Sequence, residues 1–63
     1  SGEEHIGHLI SALTEEVKSW TAEYRSWAEA YPAWSPVAAA WLARTAQSER
    51  TLSEMRATIA AVA

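Results

Sequence analysis

Two histidines are the first residues in this chain whose chemistry could matter. His5 and His8 lie three apart, one helical turn, with Glu4 beside them. A metal site built on that pair needs a third ligand from elsewhere, and no further His or Asp/Glu follows Arg56 to provide one from the far end of the chain. The Glu-x-x-His pair of di-iron bundles is missing, because the residues three before His5 and His8 are Gly2 and His5. Both histidines are read as surface residues, and no metal or other cofactor is expected. No Ser/His/acid arrangement stands out, and no glycine-rich loop could cradle a phosphate. Carboxylates are numerous but fall on solvent positions of a helix, where nothing separates their pKa values as acid–base catalysis requires. The expectation is a protein that is not an enzyme.

The other chemically distinctive group is aromatic. Trp20, Tyr24, Trp27, Trp34 and Trp41 could line an apolar pocket with phenol and indole donors. Their spacing gives the simpler reading of a packing stripe. Large residues fall at Ile6, Ile10, Leu13, Val17, Trp20, Tyr24, Trp27 and Tyr31, in unbroken alternating steps of four and three. That is the alternation of a coiled-coil seam, and at helical pitch it sets eight side chains on one stripe.

A helix over residues 3–31 must carry this stripe. Ser1 and Glu4 have the spacing of a capping box, and Glu3 and Glu4 favour the positive end of the helix dipole. Gly7, the one glycine inside the pattern, points to fraying or to close approach of another backbone. Pro32 pushes Tyr31 out of the helical region. Ser35-Pro36 reads as an N-cap followed by the first helical position, where proline is welcome. The turn is then 32–35 and a second, alanine-rich helix covers 36–62.

In the same register the second helix presents Trp34, Ala38, Trp41, Thr45, Ser48, Leu52, Met55, Ile59 and Val62. Folding the chain at Ala33 places Trp20 near Thr45, Val17 near Ser48, Leu13 near Leu52, Ile10 near Met55 and Ile6 near Ile59. Large residues meet small ones in the middle and aliphatics meet aliphatics at the open end, the volume matching a packed core needs. The expected fold is all-α: an antiparallel two-helix hairpin forming a single domain. A hairpin alone leaves one flank of the aromatic residues wet. Two hairpins packed together as a homodimeric four-helix bundle would cover it.

The chain has 63 residues and no cysteine, so neither a disulfide nor a cysteine-ligated zinc can reinforce a small core. Oligomerisation is the remaining reinforcement. The net charge is −3, with most acids in the first half and Arg44, Arg50 and Arg56 making the second half slightly basic. No clustered basic face is available for phosphates, so nucleic acid is not an expected partner. No apolar run approaches the roughly 20 residues that span a bilayer, and no charged-then-apolar leader is read. No membrane association is expected, and a cytoplasmic location is.

The segment from Glu3 to Leu13, with Ile6, Gly7, His8, Ile10, Ser11 and Leu13 on the matching positions, resembles the phosphoacceptor helix of the nitrate-sensor-like class of bacterial sensor histidine kinases. Leu52-Ser53-Glu54-Met55-Arg56 is similar to that family's second helix, so the resemblance covers nearly the whole chain. It implies a dimerisation and phosphotransfer hairpin that assembles as a four-helix bundle. The family's phosphoacceptor His-Asp pair falls on Glu3 and Glu4, which implies a pseudo-phosphotransfer domain. Taken together, the expected function is protein–protein assembly, through dimerisation or docking, within a signalling protein. The interface would comprise Ile6, Ile10, Leu13, Val17, Trp20, Tyr24, Trp27, Tyr31, Trp34, Trp41, Leu52, Met55 and Ile59. A second protein partner is expected at the aromatic end, and a tryptophan-lined small-molecule site is the alternative.

Overall fold

The computed structural model describes residues 1–62. Two long helices, α1 (Gly2–Ala30) and α2 (Ser35–Val62), pack antiparallel and are joined by one 3-10 turn, Pro32–Trp34. The hairpin is a thin rod, with extents of 47 × 15 × 10 Å. No helix among the described residues is long and apolar enough to cross a membrane.

The start of α1 follows the expected capping box. The Glu4 amide donates to Ser1 Oγ at 3.4 Å, and the Ser1 amino group donates to Glu4 Oε2 at 3.3 Å. At Gly7 the structure excludes one of the two expectations, close approach of another backbone. A methyl group at its Cα would meet nothing within 4 Å, so no backbone approaches it closely.

The connection is tighter than the sequence indicates. Tyr31 leaves the helix at φ −131° and ψ 77°, as a residue before proline should. Its N–H still donates to the Trp27 carbonyl at 2.8 Å, so α1 closes its last turn. Ser35 is not an N-cap. It is itself helical, at φ −52° and ψ −41°, and its N–H donates to the Pro32 carbonyl. The 3-10 turn therefore runs straight into α2. The Ser35 hydroxyl, freed from capping, donates across to the Ala28 carbonyl at 3.4 Å and ties the beginning of α2 to the end of α1.

Only Ile10, Ala38, Thr45 and Leu52 are buried among the described residues. Around them α1 turns Gly7, Thr14, Val17, Thr21, Tyr24 and Ala28 partly inward, and α2 does the same with Ser35, Leu42 and Ile59. This contact line shares Ile10, Val17 and Tyr24 with the large-residue stripe. Elsewhere it uses the residue one position later: Thr14 for Leu13, Thr21 for Trp20, Ala28 for Trp27. Small side chains at a helix contact allow a shorter interaxial distance. The threonines fit there because their hydroxyls are satisfied within their own helix. Thr14 donates to the Ile10 carbonyl at 2.7 Å, and Thr21 to the Val17 carbonyl at 2.9 Å. Thr45 on α2 does the same to the Leu42 carbonyl at 3.0 Å.

With so few buried side chains, each carries a large share of stability. Ile10→Ala should lower the unfolding free energy by about 2–4 kcal/mol in urea titration. Gly7→Ala, which has room for its methyl, should raise it by about 1 kcal/mol in the same titration.

Candidate docking face

The rotated contact line divides the large residues into two sets. Ile10, Val17 and Tyr24 go into the hairpin. Ile6, Leu13, Trp20 and Trp27 remain 45–48% exposed, although each belongs to the same heptad stripe. On α2, Trp41 and Met55 are 42% and 43% exposed. An ordinary core residue would be covered far more completely than any of these.

These residues flank the cleft between the helices on one side. Three open grooves follow one another there. The first, at the open end, is lined by Ile6, Ile10, Met55 and Ile59, with Thr51, Glu54 and Thr58. The second has Leu13, Val17 and Leu52, with Gln47, Ser48 and Thr51. The third, toward the turn, has Val17, Trp20, Tyr24 and Trp41, with Arg44, Thr45 and Ser48. These linings reproduce the expected pairings of Ile6 with Ile59, Ile10 with Met55, Leu13 with Leu52 and Trp20 with Thr45.

The opposite side of the cleft is polar. Thr21 Oγ1, whose proton goes to the Val17 carbonyl, lies 3.4 Å from Glu49 Oε1, and Arg56 Nη2 donates to Ser11 Oγ at 3.4 Å. A smaller hollow there is lined by Thr14, Glu49, Leu52, Ser53 and Arg56. The hairpin is thus two-faced, with polar side chains bridging the helices on one side and apolar grooves on the other.

Near the turn the apolar face is organised by Tyr24. Its ring stacks on Trp20 with centroids 5.7 Å apart, meets Trp27 edge-on at 5.8 Å and lies against Trp41 at 5.9 Å. The Arg44 guanidinium covers the Trp41 ring at 4.7 Å, a cation–π contact. At the tip, Trp27, Tyr31 and Trp34 surround a further open apolar hollow, with Tyr31 and Trp34 each 61% exposed. The rings line open grooves along a surface, not an enclosed chamber.

His5 and His8 are exposed, and no group of three metal-capable side chains forms among the described residues. Glu3 and Glu4 sit in the first turn of α1, and the Glu4 carboxylate is engaged in capping. Residues that the sequence pattern did not single out are Arg44, which lids Trp41, and Thr51, which borders the outer and middle grooves. The repeat of Gly7, Thr14, Thr21 and Ala28 at intervals of seven is the signal that could have located the contact line.

Comparison of the chain with family models, with curated proteins and with solved structures finds no match.

Tyr24 touches three rings and spans both helices, whereas Trp34 stands out from the tip. Tyr24→Ala should therefore lower stability by about 3 kcal/mol and collapse the near-UV circular dichroism of the tryptophans. Trp34→Ala should change stability by no more than about 0.5 kcal/mol in the same measurement.

Proposed function

We propose that this chain is a protein–protein assembly module that self-associates through its apolar face into a homodimeric four-helix bundle. The observation that carries this reading is the surface left over. The hairpin exposes 4790 Å². Monomers of its 6.9 kDa mass expose about 4000 Å², so the excess is about 800 Å², the area one partner contributes to a standard interface. Large apolar side chains are exposed on one side of the hairpin, where Ile6, Leu13, Trp20, Trp41 and Met55 line the grooves and Trp27 adjoins them through Tyr24. Contiguous apolar surface rimmed by polar side chains is the mark of an interaction site. A four-helix bundle covers it with the same kind of packing that joins α1 to α2.

In this reading the tryptophans act as anchors, residues that dominate interface energies when they enter a partner's hollows. The tip rings Tyr31 and Trp34 lie beyond the cleft and remain for a second protein partner. A signalling context in the cytoplasm accords with the helical-hairpin architecture and with the resemblance to a dimerisation and phosphotransfer domain.

Light scattering across a dilution series should give twice the chain mass at high concentration. Leu13→Glu combined with Trp20→Glu places charges on the exposed face and spares the contact line between α1 and α2. That variant should stay helical by circular dichroism and run at the monomer mass. Trp27→Ala should likewise shift the population toward monomer or unfolded chain. A wild-type chain that is monomeric throughout would reject the proposal.

A further inference from the structure

We infer that the two copies lie antiparallel, each turn beside the other's open end, so that Trp20 and Trp27 of each copy seat in the aliphatic grooves of its mate. This rests on the self-association proposed above and adds its geometry. The apolar face is uneven along the rod. Its bulky rings stand within about 20 Å of the turn, taking 1.5 Å per residue from Ala33. The hollows nearer the turn are walled by those rings themselves, and the aliphatic hollows lie farther out. The middle groove, open by about 300 Å³, is bordered by the small side chains of Ser48 and Thr51, and the outer groove by Met55 and Ile59 with about 360 Å³.

A two-fold axis perpendicular to the rod at its midpoint, about 22 Å from the turn, exchanges near and far positions. Trp20, about 20 Å from its own turn, then falls about 24 Å from its mate's, at the level of Val17 and Ser48, where the middle groove meets the third. Trp27, about 9 Å out, falls about 35 Å from the mate's turn, at the level of Ile10 and Met55 in the outer groove. Both anchors arrive where the surface is hollow.

A parallel pair does the opposite. It sets Trp20 against the groove already occupied by Trp20, Tyr24 and Trp41, and leaves the aliphatic hollows facing one another. The charges agree with the antiparallel choice. Arg44 and Glu54 are the charged residues that line the three grooves. In a parallel pair each meets its own copy at the same level. In the antiparallel pair Glu54 lies about 12 Å from the mate's turn and Arg44 about 16 Å from that same turn, close enough in level for an ion pair.

The chain has no cysteine, so a single introduced thiol can be labelled uniquely. Nitroxides on Ala33→Cys, at the tip, and separately on Ser19→Cys, near the midpoint, probe the arrangement at exposed positions that line no groove. Pulsed dipolar spectroscopy of the dimer should give about 40 Å between Ala33 labels and under about 25 Å between Ser19 labels. Two short distances at dimer mass would overturn the antiparallel arrangement while leaving self-association intact. Monomer mass with no dipolar coupling would reject self-association itself, and this inference with it.

Discussion

A single contact between two helices can cover only one stripe of each. Everything else in this protein follows from that limit. α1 carries apolar residues on a band wider than one stripe, because Leu13, Trp20 and Trp27 immediately precede the inward Thr14, Thr21 and Ala28. One of the two columns can face α2, and the small column does. Among the described residues only four are buried as a result, and the largest side chains occupy the rim of the cleft. In a larger domain this choice would be wasteful, since apolar burial is the main source of stability. Here small side chains at the contact permit close approach of the helices and keep the large side chains available outside it.

The inward column is threonine-rich without leaving polar atoms stranded. Thr14, Thr21 and Thr45 all return their hydroxyls to backbone carbonyls of their own helices. No buried side-chain polar atom among the described residues lacks a partner. The contact line is therefore a modest one, held by methyl groups and a few aliphatic side chains. The aromatic cluster around Tyr24 supplements it on the apolar side, and the Ser11–Arg56 hydrogen bond does so on the polar side. Exposed polar links of this kind add little stability each, which leaves Ile10, Tyr24 and Leu52 as the residues on which the hairpin most depends.

The helices, the capping box and the pairing of levels between α1 and α2 were legible in the sequence, because they rest on local signals: proline placement, a cap, and volume matching about a fixed fold point. Two features were not. Large residues define the strongest periodic signal from Ile6 to Tyr31, but a hairpin chooses its contact by what allows close approach, and periodicity of size alone does not report that. The adjacent small column held this information and carries a weaker signal. Ser35 was misread for a different reason. Ser-Pro is a sound helix start where a coil precedes it, but here the 3-10 turn already offers the Pro32 carbonyl as acceptor for the Ser35 N–H, and the Ser35 hydroxyl turns to Ala28 instead of capping.

That hydroxyl link bears on how the chain finds its shape. It joins residues only seven apart, whereas the Ser11–Arg56 hydrogen bond at the other end joins residues 45 apart. The entropy lost in closing a loop rises with its length, so the junction at Ala28 and Ser35 is the least demanding place for the two arms to meet. Each turn of helix laid down from there shortens the search for the next. Closure that travels outward from the prolines like a zip brings together last the parts of the two arms farthest from the turn, near His5 on one and Ile59 on the other.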